Sequence, residues 1–324
     1  MLEVKNLKTE FFKGRRITVV SEVSFSINKG EVLGLVGESG CGKSVTSLSI
    51  MRLLKRTTGR VTLGEVYLDG IDLLKLTERE MCKVRGKDIS MIFQDPMSSL
   101  NPTMSVGKQI TESILLHTHI DKDSAKQHAL ELVESVGIPE AKNVLNYLPY
   151  QLSGGMSQRI MIAMAMACLP KLLIADEPTT ALDVTIQAQV LELMRNIKNE
   201  NQTSILLITH DLGVVAEMCD RVIVMYAGRI FEEAGTRDLF ENPQHPYTRG
   251  LIKSIPVLGK RISRLNNIQG NVPDLANIPA GCVFHPRCDE AMEKCRTMEP
   301  SLDDFGNGRK CRCWLHSSRK GKKV

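Results

Sequence analysis

The sequence predicts an α/β fold, and three observations carry that expectation. A short apolar run, Val32 to Val36, leads into the stretch GESGCGKS at Gly37 to Ser44, and a helical stretch follows. A second apolar run, Leu172 to Ala175, ends in two carboxylates, Asp176 and Glu177. Elsewhere apolar residues recur at helical spacing: Ala125, Ala129, Leu132, Val133 and Val136, then Ile186, Val190, Leu193, Met194 and Ile197. These stripes are the packing faces of helices, not binding boxes.

Taken in chain order, residues 1–30 and 60–93 alternate apolar and polar residues, as a small antiparallel sheet would. Between them lies the pattern G-x-x-x-x-G-K-S in the strand–loop–helix context of a P-loop. Its glycines let backbone N–H groups turn toward phosphate oxygens, and the helix N-terminus favours an anion. Gly37, Ser39, Gly40, Cys41, Gly42 and Val45 form this cradle, Lys43 supplies a cation, and the Ser44 hydroxyl can ligate Mg²⁺. Ser124 to Val136 reads as an amphipathic helix stopped by Gly137. In YQLSGGMSQR, Ser153, Gly154, Gly155 and Met156 open another helix. That geometry binds phosphate for a second subunit or serves as a plain N-cap. Asp176 would hold Mg²⁺ and Glu177 would polarise the attacking water. DRVIVMYAGRI reads as a hairpin turning near Ala227-Gly228. By composition alone, ENPQHPYTRGLIKSIP reads as a linker.

Composition narrows the classes. The 324 residues are 42% hydrophobic and 24% charged with a net charge of +5, as in an ordinary globular protein of more than one domain. Aromatic residues make up 4%, too few for single-strand nucleic-acid stacking. The basic tail at Arg319 to Lys323 reads as a solvated end. No charged-then-apolar signal opens the chain and no run is long enough to span a bilayer, which predicts a cytosolic chain. Nine cysteines there argue against a disulfide framework; Cys41, Cys82, Cys168 and Cys219 read as small buried or neutral residues.

GESGCGKS, LSGGMSQR, LLIADEPT, TALD and ITHD, in this order and spacing, resemble the nucleotide-binding subunit of an ABC transporter over roughly the first 240 residues. The resemblance implies a P-loop cassette with a RecA-like core, an antiparallel β subdomain and a helical subdomain over residues 1–238, and an extension over 239–324. It implies that Gln94 senses Mg²⁺ and touches the membrane partner, that His210 contacts the γ-phosphate, and that Asp183 lies at the cassette interface. Phe11 matches the residue that stacks on adenine, in place of the usual tyrosine, with Phe12 as the alternative. Met156 stands where the signature usually has glutamine.

The stretch N-P-x-H-P-Y-T-x-x-L resembles the extension of oligopeptide and dipeptide importer ATPases, a branch shared with nickel importers, and His245 and Tyr247 are then structural. Five cysteines follow. Cys282, Cys288, Cys295 and Cys313 match neither a zinc knuckle nor a ferredoxin run, and four thiolates favour zinc or an iron–sulfur cluster over disulfides. GCVFHPRC and CWL resemble the peptide-importer branch, in which the set can hold a 4Fe–4S cluster, making the extension a small metal-binding one; Cys311 is an alternative fourth ligand. Zinc and simple thiols remain open, as does a structural against a redox role.

The resemblance implies ATP and Mg²⁺ as cofactors, a second ATPase subunit (identical or different), two membrane permease subunits and, indirectly, an extracytoplasmic binding protein. Nucleic acid is not among these partners. The implied place is the cytoplasmic face of a bacterial or archaeal-type membrane. The implied function is ATP hydrolysis driving import of di- or oligopeptides, with ATP held in a head-to-tail cassette pair. A nickel or metal-complex importer is the near alternative. A soluble ABC ATPase acting on nucleic acid or the ribosome, or an electron-transfer protein, would belong to another class.

Overall fold

A computed structural model describes residues 1–55, 57–180, 182–254 and 268–316, with Lys13 described by its backbone alone. The basic tail therefore lies outside the described residues. The chain divides into two compact units. One comprises Met1–Leu2, Ile27–Glu31 and Asp72–Ile208; the other comprises Glu3–Ser26, Val32–Ile71 and Thr209–Val324. Strands are numbered in chain order.

The first unit is built on β6 (Ile89–Ile92), β7 (Leu172–Asp176) and β8 (Ser204–Thr209). They run parallel, with Ile89 opposite Leu172 and Leu172 opposite Ser204. Every residue of the three is buried, as expected for parallel strands covered on both faces. This corrects the sequence expectation for residues 60–93. Glu78–Val84 is a helix, opened by a capping box between Thr77 and Glu80, and Ile89–Ile92 belongs to the parallel sheet. Alternation misleads there because a doubly covered strand buries its serine too: Ser90 is 4% exposed.

Helices Val106–His117, Lys122–Ser135, Gly154–Met166 and Val184–Asn201 complete the unit. Asp121 caps the second of these through the N–H groups of Asp123 and Ser124. Gly137, at φ 70°, follows its end, where an L side chain would be strained.

In the second unit, β1 (Leu2–Lys13), β2 (Arg15–Ile27), β4 (Gly59–Leu68) and β5 (Ile71–Asp72) form a sheet in the order β2-β1-β4-β5. A further set joins β3 (Val32–Val36), β9 (Arg221–Tyr226), β10 (Arg229–Gly235), β11 (Asp303–Asp304) and β12 (Lys310–Cys311). β3 is parallel to β9, and β9 turns back into β10 through Ala227 and Gly228, both with positive φ. β12 pairs with β10, placing Cys311 opposite Glu232, and β11 pairs with β12.

The stretch that composition alone reads as a linker is ordered as far as Ser254, and Ile255 and Pro256 lie outside the described residues. Pro246–Lys253 is a helix, with Pro246 in its first turn, where a missing N–H costs nothing. His245 caps it: Nδ1 accepts the Tyr247 N–H at 3.0 Å. Buried Glu232 accepts the N–H groups of Gln244 at 2.7 Å and His245 at 2.8 Å. Tyr226, Phe231, His245, Tyr247 and Phe284 form one ring cluster with centroids 4.6 to 6.2 Å apart. Burying such rings contributes about 0.5–1.5 kcal/mol per pair beyond their area. Proline content is thus a poor guide here, because the aromatic payload outweighs it.

Candidate active site

The second unit carries the phosphate loop. β3 delivers Gly37 from the sheet, and at φ 151° a side chain there would collide with the Met225 carbonyl. Gly42, at φ 102°, precedes the helix Lys43–Ile50, and a Cβ on it would come within 2.8 Å of the Val19 carbonyl oxygen. Lys43 is 5% exposed and folds back on its own loop, donating to the carbonyls of Gly37 at 2.7 Å and Glu38 at 3.1 Å. Its ammonium is thereby parked beside the anion cradle. Ser39 and Gly40 are exposed, while Ser44 and Val45 are half-buried. Burial pushes the Cys41 thiol up, keeping it a neutral packing group.

His210 follows β8. With Gly37, Glu38 and Ser39 it lines a cavity of about 450 Å³, closed on another side by Leu251, Ser254 and Ile268. Phe11 is half-buried, its ring 3.0 Å from where a Cβ on Gly59 would stand. The Phe12 ring carries the Arg60 guanidinium at 4.7 Å.

The first unit carries the acidic residues. β7 ends in Asp176, 4% exposed, and chain reversal follows at Glu177, φ 49°. A non-glycine residue in that region is held by its surroundings. The Glu177 N–H donates to the Ile208 carbonyl at 2.8 Å. Its carboxylate accepts from Gln94 Nε2 and Thr180 Oγ1, each at 3.0 Å. Gln94 and Glu177, separated by 83 positions, thus meet. Thr180 is a member of this group that motif reading missed, although it lies in the same DEPTT stretch.

Ser153 caps the helix Gly154–Met166, its Oγ accepting the Met156 N–H at 3.3 Å. Asp183 caps Val184–Asn201 through the N–H groups of Thr185 and Ile186. Ser153, Gly154, Gly155, Met156 and Asp183 line one cavity of about 690 Å³. Arg159 ties its wall together, donating to the Gly137 carbonyl at 2.9 Å and to Gln189.

The cysteines gather in the second unit. Gly281, at φ 70°, turns the chain so that the Cys282 N–H donates to the Cys295 carbonyl at 2.8 Å. Burial pushes the Cys313 thiol up to about 12, and the thiols of Cys282, Cys288 and Cys295 add to it. Burial also raises Cys282 to about 11, again helped by Cys295 and Cys288. Cys311 is buried in β12, where desolvation and then Glu232 push its thiol up. The thiol of Cys313 pushes the same way. Among the described residues no group of three or more His, Cys, Asp or Glu side chains is arranged to hold a metal ion, so the metal-binding character expected of the extension is not shown. Of the scattered cysteines, Cys41 and Cys219 are buried, Cys168 is half-buried, and Cys82 is exposed.

The chain matches the family described as ABC transporter over residues 20–180, and the oligopeptide/dipeptide transporter C-terminal region over residues 231–295. It is 55% identical to the oligopeptide transport ATP-binding protein AppD of Bacillus subtilis (strain 168), over 98% of this chain and 97% of that protein. It is 49% identical to the dipeptide transport ATP-binding protein DppD of the same organism, over 98% and 96%. Among solved structures it resembles a dimeric post-hydrolysis state of the ATP-binding cassette MJ0796 bound to ADP and Pi. The TM-score is 0.66 at 29% identity, over 73% of this chain and 99% of that one.

Proposed function

The chain belongs to the ABC transporter ATPases, and on that premise we propose that it is the ATP-hydrolysing subunit of a di- or oligopeptide importer. The observation that carries the chemistry is the Glu177 carboxylate, held by Gln94 and Thr180 at the carboxyl end of a parallel strand. In this reading the phosphate loop binds ATP, with Lys43 on its β- and γ-phosphates. Ser44, Gln94 and Asp176 are the residues that would hold Mg²⁺, and Phe11 the one that would stack on the adenine. Glu177 orients and deprotonates the attacking water, and His210 contacts the γ-phosphate. Ser153 to Met156 close over the nucleotide of a second cassette, with Asp183 at the interface.

No described helix is long and apolar enough to cross a membrane, so translocation is assigned to separate permease subunits. An apolar groove of about 1060 Å³ in the helical region, lined by Met104, Leu115 and Leu116, suits a docking helix of such a subunit. Leu116 is 73% exposed there. In this reading the protein works on the cytoplasmic face of the membrane, with an external binding protein delivering peptide. Residues 1–238 form the cassette and 239–324 the extension. The test is hydrolysis in vesicles reconstituted with permease and binding protein. Stimulation by a peptide is expected, and stimulation by a nickel complex in its place would transfer the chain to that reading.

The extension is assigned a 4Fe–4S cluster held by Cys282, Cys288, Cys295 and Cys313. The support is a donor set of four thiols, three of which raise the fourth's affinity for its proton. Further support is the resemblance of GCVFHPRC and CWL to the peptide-importer branch. When bound, the cluster would supply a crosslink between the loop 281–295 and the chain after β12. Iron, sulfide and zinc assayed after oxygen-free purification decide the matter. Four irons with matching sulfide are expected, and zinc without iron would replace the cluster.

A further inference from the structure

We propose that Arg287 is a positioning residue for the phosphate loop, acting through Glu38. The inference rests on the nucleotide reading above and adds a partner to its loop. Arg287 stands next to Cys288, and its side chain is 6% exposed. Its guanidinium grips both Glu38 carboxylate oxygens, Nη1 to Oε2 at 2.6 Å and Nη2 to Oε1 at 3.0 Å. Nη1 also donates to the Tyr226 hydroxyl at 3.2 Å, Nε to the Gln269 carbonyl at 2.9 Å, and Nη2 to the Ile268 carbonyl at 3.4 Å. All three nitrogens are engaged, so the fork has one orientation, which a lysine could not reproduce.

Glu38 is the second residue of the loop, and it is held at three points. Arg287 takes its carboxylate, the Tyr247 hydroxyl accepts its N–H at 3.0 Å, and Lys43 donates to its carbonyl. Two of the three ties come from residues after 238. The charge logic explains why they are needed. A carboxylate beside a cradle for phosphates repels the ligand, and it competes for the ammonium of Lys43, the loop's own cation. Pairing with Arg287 neutralises that carboxylate and turns it away from the competition. The segment carrying the cysteines thereby supplies the counter-ion of the phosphate loop.

The test is a double-mutant cycle on the full chain, read as equilibrium binding of ATP, with thermal melting and iron content as folding controls. Arg287→Gln is expected to weaken ATP binding about tenfold, within the range of coupling between linked sites. The loss shows in KM for ATP far more than in kcat. With Glu38 already replaced by Gln, removing Arg287 is expected to change affinity by less than about twofold, because no carboxylate remains to neutralise. Should Arg287→Gln not fold, Arg287→Lys keeps a charge without the fork, and its affinity is expected to fall about threefold. An additive cycle, or unchanged affinity in Arg287→Gln and Arg287→Lys, overturns the proposal. Failure of the unaltered chain to bind ATP would instead sink the nucleotide reading itself.

Discussion

The phosphate loop and the signature turn use one device, a glycine-rich turn before a helix, and they finish it differently. At the loop the chain satisfies itself. Lys43 is buried against two carbonyls, and Glu38 is tied by Arg287 and Tyr247. At the signature, Ser153 and Gly154 are exposed, and an added Cβ on Gly154 would meet nothing within 4 Å. In the proposed reading this open edge is a half-site for the nucleotide of a second cassette. The lesson is that the two turns should fail separately: one in affinity, the other in turnover.

The largest expected effect bears on neither turn and calibrates both. Glu177→Gln keeps the hydrogen-bonding shape and removes the proposed base, so hydrolysis should fall about a thousandfold with ATP binding retained. Phosphate release at the wild-type rate would remove Glu177 from its role. Ser153→Arg fills the open edge. Turnover is expected to drop about a hundredfold, while a lone chain binds ATP as before. A parallel fall in affinity, seen by equilibrium titration, would break the distinction between the turns.

A smaller change probes the closed loop. Tyr247→Phe deletes the acceptor of the Glu38 N–H. It should cost about 1 kcal/mol of stability in denaturant titration and weaken ATP binding a few fold. The same substitution should leave turnover at saturating ATP nearly unchanged, which sharpens the contrast with Ser153→Arg.

The smallest effect is a pH dependence. Burial drives the His245 imidazole down from 6.5 to about 3, and its Nδ1 must stay unprotonated to accept the Tyr247 N–H. The nearby charge of Arg249 pushes the same way. The unfolded chain therefore binds the proton first. Stability from this group is complete above pH 6.5 and is lost as pH falls toward 3. His245→Asn, which can still cap the helix, should flatten the melting temperature between pH 6.5 and 4. An unchanged slope would acquit His245.

Much of this was legible before any fold was known. The P-loop spacing, the acidic end of Leu172–Asp176, the helix beginning near Ser124 and the Ala227-Gly228 turn all read correctly, because each is governed by neighbours within a few residues. The misreadings share a cause. Ile89–Ile92 has no local mark of being covered on both faces, and composition alone shows the prolines of Pro246–Lys253 but not the rings it packs against, whereas the resemblance read His245 and Tyr247 as structural, as they are. Thr180 escaped notice because only its bond to Glu177 reveals it.

By itself, then, the sequence determined the turn types, the strand that presents Asp176 and Glu177, and the membership of an ATP-hydrolysing family. These depend on backbone torsions and short-range caps, which residue identity and spacing control. Tertiary structure alone decided that Gln94 reaches Glu177 and that Arg287 reaches Glu38 across 249 positions. It also decided that Cys282, Cys288 and Cys295 stand near enough to Cys313 to raise its thiol further. Charge pairing acts through space and is set by burial and register, and neither is written in the distance between two letters of the chain.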